Sequence, residues 1–216
     1  GIHPEFDQPY AELWMGVHQN SPSQVLDLQN GSTDLSDWIA EDPKTRLSLH
    51  HSPAFSSGLP YLLKVLSAEQ PLSIQAHPNK TKAEVLHQQD PINYPDANHK
   101  PEVAIAIDHL DALIGFIKPE QFHDLLKNTP ELNNLLFSQN AGVVNLELGI
   151  LGLLRQGEQQ KDRVEACIKA IHERLLKRNE HSETEQLFLE LFEAHGSQDI
   201  GLLFMFFLNR VHLGPG

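Results

Sequence analysis

The sequence has 216 residues, 29 acidic and 16 basic side chains, a formal net charge of −13 and 40% hydrophobic residues. This apolar content is too high for a disordered chain, and the acidic balance disfavours nucleic-acid binding, which relies on neutralising phosphates with Lys and Arg. No apolar run approaches the ~20 residues of a membrane helix. The one cysteine, Cys167, excludes an intramolecular disulfide and indicates a reducing, cytoplasmic compartment; its helical spacing with apolar neighbours predicts an inert core thiol.

The first six residues, GIHPEF, lack an initiator methionine and the apolar stretch of a targeting signal. We interpret residues 1–6 as a cloning remnant. At the other end, GPG predicts a turn that leads into further chain. We therefore expect both ends to be cut.

Residues 7–108 are rich in turns and short apolar runs, which predicts a β-rich region with two short helices. One helix is predicted in STDLSDWIAEDP, with Ser32 or Thr33 as its cap. The other is predicted over about residues 82–89, with Asn79 or Thr81 as its cap.

Three short strands are predicted in the same region, two in YLLKVLSAEQPLSIQAH and a third over residues 103–108. In the second strand, Ser73, Gln75 and His77 occupy alternate positions and would share one face. A face that carries a hydroxyl, an amide and an imidazole is a candidate lining for a polar cavity.

Residues 109–199 change to a helical period and predict a compact helical subdomain. Pro130 separates two of its helices. A third helix is predicted in KDRVEACIKAIHERLLKR, and a fourth begins with a capping box of Ser182 and Glu185 and stops at Gly196. From residue 200 onward the apolar run has a strand-like character, and IGLLFMFFL fits either a buried strand or a short buried helix.

A second polar segment, NHKPEVAIAID, places Glu102 on the same predicted face as Ala104 and Ala106. If this strand lies beside the first, Gln75, His77 and Glu102 converge. An amide oxygen, an imidazole nitrogen and a carboxylate suit Zn²⁺ or another borderline divalent ion. The alternative is ordinary solvent-facing polarity, and spacing does not decide between the two.

Four segments resemble signatures of the type I mannose-6-phosphate isomerases, also called phosphomannose isomerases, in the order of that family. They are YAELWMGVH, LPYLLKVLSAEQPLSIQAHPNK, YPDANHKPEVAIAI and DIGLLFMFFLNRVHLGPG. The resemblance covers essentially everything after residue 6. It implies a mixed β and α fold: a cupin-type β-barrel portion over 7–108 that carries the metal strand pair, a helical insertion over 109–199, and the start of a second cupin half over 200–216.

The resemblance also implies a zinc-dependent isomerase that interconverts mannose 6-phosphate and fructose 6-phosphate. Carried over by position, Gln75, His77 and Glu102 are expected to be zinc ligands. The fourth ligand of the family, a histidine, is expected beyond Gly216, and His212 lies ahead of its position. The chain is therefore expected to be truncated before its C-terminal half and impaired in activity.

Other site residues follow from the same resemblance. Lys100 would transfer a proton or open the sugar ring, since a nearby zinc ion disfavours its ammonium form; the rival role is phosphate anchoring. Ser73 is expected to donate to the phosphate or a sugar hydroxyl. Trp14 is expected to shape the floor of the substrate pocket and the packing, and a core residue is the favoured interpretation.

Two alternatives of other classes stay open at this point. One is a non-catalytic cupin-like domain that binds or senses a metal or a sugar phosphate. The other is a zinc-dependent hydrolase on a similar barrel, although the sequence has no His-Glu-x-x-His helix. A chain cut through a barrel would also expose sheet edges, so we expect self-association through them.

Overall fold

The computed structural model describes residues 11–18, 21–27, 31–47, 58–137 and 144–216. The fold is mixed α and β, as predicted, and divides into two compact units, Gly1–Ser73 and Ile74–Gly216. The interpreted remnant at 1–6 lies outside the described residues, and the predicted boundaries near 108 and 199 stay a prediction. Among the described residues, no helix is both long and apolar enough to cross a bilayer.

The described residues of the first unit form two antiparallel strand pairs and two short helices. Strand β1 (Glu12–Met15) pairs with β4 (Leu63–Leu66), and β2 (Gln24–Asp27) pairs with β3 (Gly31–Asp34). The helices are α1 (Leu35–Glu41) and α2 (Pro43–Arg46). The predicted helix is therefore confirmed, but it begins after Asp34, because Ser32 and Thr33 pair within β3.

The second unit carries most of the helices. They are α3 (Lys80–Gln89), α4 (Pro119–Asn128), α5 (Pro130–Phe137), α6 (Leu146–Gln159), α7 (Lys161–Leu175), α8 (Glu183–His195) and α9 (Gly201–Phe204). Strand β5 (Leu110–Phe116) pairs antiparallel with β6 (Leu208–Leu213). The predicted break at Pro130 is confirmed, since α4 ends and α5 begins there.

One apolar core holds helices α4 to α9 of this unit together. Ile168, Ile171 and Leu175 line one stripe of α7 and are fully buried, and Phe188 of α8 packs in the same cluster. Cys167 also lies in this core, which confirms its predicted structural role. The 3.6-residue period of the sequence thus identified the buried stripe of α7.

The termini of α8 follow the predicted chemistry. The Ser182 side chain accepts from the Glu185 N–H, and the Glu185 carboxylate accepts from the Ser182 N–H, which completes the capping box. Gly196 ends the helix with φ of 74°, a left-handed value at which a side chain would be strained. Both terminal predictions are confirmed.

Two strand predictions need correction. Residues 72–77 and 103–108 run without a β-ladder, and their alternating apolar side chains are largely exposed, with Val103 90% and Ile105 74% accessible. Alternation predicts which residues share a face, but a strand also needs a second strand to pair with, and the described residues supply no paired strand here. For the apolar run after residue 200, the predicted buried helix is found over 201–207 as α9 and a 3₁₀ turn, and strand β6 follows from Leu208.

Candidate metal centre

The first polar segment leads directly into α3. Asn79 caps this helix, and its Oδ1 accepts a hydrogen bond of 2.9 Å from the Lys82 N–H. Gln75 and His77 lie just before this cap in extended chain. The segment that carries Gln75 and His77 therefore ends where α3 begins.

The structure brings the three predicted metal ligands together, with His77 in the middle. The Nε2 atom of His77 lies 3.3 Å from Oε1 of Gln75. Its Nδ1 atom lies 3.6 Å from Oε2 of Glu102. The His77 side chain is 27% exposed and that of Glu102 is 55% exposed, so the group is open to solvent. Residues 25 positions apart thus meet without a β-ladder between them.

These donors fit zinc in their chemistry and, for one pair, in their spacing. Zinc bonds of about 2.0–2.2 Å at a tetrahedral angle put neighbouring ligands about 3.3–3.5 Å apart, as Gln75 and His77 are. Glu102 contacts the other ring nitrogen, so its carboxylate has to turn toward Nε2 for all three to share an ion. No three His, Cys, Asp or Glu side chains in the described part of the chain gather around a metal position, so the set depends on the amide of Gln75.

Lys100 lies beside Glu102, and its predicted role in proton transfer or phosphate anchoring stays a prediction. Its Nζ is 3.1 Å from Oε1 of Glu102, on the opposite carboxylate oxygen from His77. Both side chains are more than half exposed, and an exposed ion pair contributes only about 0–1 kcal/mol. The pair therefore contributes little to the stability of the fold.

Sequence reasoning missed the contacts of α3 with the loop that precedes Lys100. Nζ of Lys80 donates to the Ala97 carbonyl at 3.0 Å and lies 3.5 Å from Oδ1 of Asn98. Nδ1 of His87 lies 2.7 Å from the Tyr94 carbonyl. The sequence holds no signal for such contacts, because a lysine at a helix start is usually solvated.

Trp14 belongs to the first unit, where it contacts a lysine that sequence reasoning also missed. Lys64, opposite Trp14 in the β1–β4 register, places its Nζ 4.4 Å from the indole centre and 3.2 Å from Oε2 of Glu12. The Trp14 indole N–H also donates to Glu12. A lone lysine among the apolar residues of YLLKVL was the available signal.

Ser73 is exposed at the end of the first unit. Its predicted contact with the phosphosugar stays a prediction, as does that of Trp14.

Comparison with known proteins identifies the family of the chain. The family model of the phosphomannose isomerase type I catalytic domain matches residues 3–119. The human mannose-6-phosphate isomerase is 37% identical over 97% of this chain and 53% of its own length. Mannose-6-phosphate isomerase 2 of Arabidopsis thaliana is 36% identical over 100% of the chain and 53% of its own length. The chain thus spans about half the length of the curated relatives it matches.

Comparison with solved structures gives the same kind of protein. A mutant phosphomannose isomerase from Salmonella typhimurium superposes with a TM-score of 0.74 at 28% identity, over 97% of this chain and 54% of that one. A zinc-bound mannose 6-phosphate isomerase gives a TM-score of 0.72 at 28% identity, with the same coverage. The fold is therefore that of a sugar-phosphate isomerase. Since the family model covers more than half of the residues, the chain belongs to the type I phosphomannose isomerase family.

Proposed function

We propose that the protein is a zinc-dependent isomerase that interconverts mannose 6-phosphate and fructose 6-phosphate. The observation that carries the proposal is the contact of His77 with both Gln75 and Glu102, in a chain of this family. These three residues would hold the zinc ion, with a histidine outside residues 1–216 as the fourth ligand. A closed cupin-type barrel around them is part of the same proposal.

The reaction moves a proton between C1 and C2 of the sugar through an enediol. Bound zinc would supply Lewis-acid stabilisation of charge on the sugar oxygens, worth several kcal/mol. The chain itself has to position the sugar and handle the proton. Lys100, whose half-exposed side chain lies beside Glu102, is available for either proton transfer or phosphate anchoring. Ser73 and Trp14 are proposed to contact the substrate.

The test combines turnover with metal content. We expect the full-length protein to isomerise mannose 6-phosphate when zinc is present and to lose this activity after chelation. We expect Gln75→Ala, His77→Ala and Glu102→Ala each to lower zinc content while the circular dichroism spectrum is kept. Gln89→Ala, at the far end of α3, serves as the control and should keep its zinc.

Two results would count against the proposal. Unchanged zinc stoichiometry in all three ligand variants would remove the metal assignment. Zinc binding by a full-length protein that does not isomerise the sugar phosphate would favour the non-catalytic sensor instead.

A further inference from the structure

The two segments that carry the candidate ligands have no regular structure in common. Neither 72–79 nor 97–108 forms a β-ladder, so backbone pairing does not set their register. Glu102 nevertheless lies within 3.6 Å of His77. Some other contact has to hold the second segment against the first.

Helix α3 supplies that contact through its first residue. Nζ of Lys80 donates to the Ala97 carbonyl at 3.0 Å and reaches Oδ1 of Asn98 at 3.5 Å. Lys80 is three positions after His77, and Ala97 is five positions before Glu102. The contact therefore joins the two segments close to both ligands. Because few residues separate the contact from either ligand, the ligand side chains have little freedom to move apart.

The partner loop is itself fixed at the point of contact. The Asn98 N–H donates to Oδ1 of Asp96 at 2.7 Å, which closes a turn around Ala97. Further back, His87 of α3 bonds the Tyr94 carbonyl at 2.7 Å. The loop from 94 to 98 is thus bound to α3 at two places, and Lys80 provides the one nearer to the candidate ligands.

The position of Lys80 supports a specific role. A lysine at the first residue of a helix faces the positive end of the helix dipole, an unfavourable place for a cation. No acidic residue lies in the first turn of α3 to compensate, and Glu84, one turn later, lies 3.7 Å from Nζ. The bonds to the Ala97 carbonyl and Asn98 offset this cost, because hydrogen bonds from charged donors are the stronger ones.

We infer that Lys80 is a positioning residue. It holds residues 97–102 close to His77 and so orients the zinc ligands before the metal binds. The inference rests on the proposed zinc function of that site. It assigns Lys80 neither to the substrate nor to the metal. Residues that orient ligands in this way typically change metal affinity by about 10–100-fold when they are removed.

The experiment compares substitutions at two lysines of the same helix in the full-length protein. Lys80→Met removes the donor and keeps the aliphatic stem, Lys80→Arg restores a donor, and Lys82→Met is the matched control. We expect Lys80→Met to weaken zinc affinity, measured by competition with a chromophoric chelator, by about tenfold or more. We expect Lys80→Arg to recover most of this loss and Lys82→Met to leave affinity unchanged. The d–d spectrum of the cobalt-substituted protein should change for Lys80→Met alone.

Amide hydrogen exchange of the metal-free protein separates this inference from the proposed function. Residues 97–102 should exchange faster in Lys80→Met than in wild type or Lys82→Met. If wild type binds zinc and Lys80→Met keeps wild-type affinity and exchange, the positioning role is overturned and the proposed function stands. If wild type binds no zinc, the proposed function fails and with it the preset ligand site, whatever the exchange shows.

Discussion

Cys167 shows how burial controls the chemistry of a single residue. Its side chain lies in the core of the second unit, where burial, with a smaller contribution from the charge of Glu131, raises the pKa of the thiol to about 12. The reactive thiolate is therefore scarce at neutral pH. We expect the native protein to resist an aromatic disulfide reagent at about pH 8 and to react at once in denaturant. Rapid labelling without denaturant, followed by absorbance, would contradict the core assignment.

Two glycines of α6 differ in the space that a side chain would have. A Cβ on Gly149 would lie 2.4 Å from Cζ of Phe122, a ring that is itself buried, whereas a Cβ on Gly152 would meet Leu136 at an ordinary 3.4 Å. Overpacking costs about 1–3 kcal/mol, and alanine regains about 1 kcal/mol of helix propensity. In urea unfolding we expect Gly149→Ala to lower the free energy of unfolding and Gly152→Ala to raise it. The same sign for both substitutions would refute this packing argument.

At the scale of elements, the β5–β6 pair is joined to α8 by a charged cluster. Arg210 of β6 bonds Asp111 of β5 at 3.0 Å and the Glu183 carbonyl at 3.0 Å. His212 contacts Asp111 and lies 3.2 Å from Oε2 of Glu183. The Glu183 and Asp111 contacts raise the pKa of His212, and Arg210 together with His212 lowers the pKa of Asp111.

The signs of these two pKa shifts define a pH window for the cluster. The raised pKa of His212 stabilises the fold fully below its ordinary value of 6.5, and this stabilisation is lost as pH rises through the raised pKa. The lowered pKa of Asp111 stabilises above 3.8 and is lost as pH falls through the lowered pKa. Both contributions are present between these values.

The window predicts how a histidine substitution behaves. We expect His212→Gln to lower the melting temperature more at about pH 5.5 than at about pH 8.5, because the charged histidine contributes mainly at the lower pH. His109→Gln, at an exposed histidine just before β5, is the control and should show no such dependence. An equal deficit at both pH values would show that the contacts of His212 do not depend on its charge.

At the scale of the whole molecule, apolar side chains and strand edges are unusually accessible. Val103, Ile105 and Ile107 are 90%, 74% and 76% exposed. Each described strand pairs on one side only, in three two-stranded sheets. Unpaired edges and exposed apolar segments are templates for association between chains.

We therefore expect the 216-residue chain to associate with itself as its concentration rises. Val103→Lys with Ile105→Lys should reduce the mean mass in light scattering, since both substitutions replace exposed apolar surface by charge. Gln88→Lys adds a similar charge at an exposed helical position and should have little effect. A monomer of constant mass over the accessible concentration range would disprove the expectation.

The features that the sequence predicted correctly depend on residues within one or two helical turns of each other. The stripe of α7, the capping box of Ser182 and Glu185, and the stop at Gly196 each depend on neighbours in sequence, so period and cap chemistry identified them. The same logic failed for 72–77 and 103–108, because a strand exists only when another segment pairs with it. For 201–207 it left helix and strand open, because a uniformly apolar run has no period that distinguishes the two.

The sequence by itself predicted the helices α4, α5, α7 and α8, the family resemblance and the types of donor atom at the candidate site. Tertiary structure alone decided that Glu102 reaches His77 and that Lys80 donates to the Ala97 carbonyl. The reason is distance along the chain. Caps and periodicity act over a few residues, whereas these two contacts join residues 25 and 17 positions apart, and their energies depend on distances that no local pattern encodes.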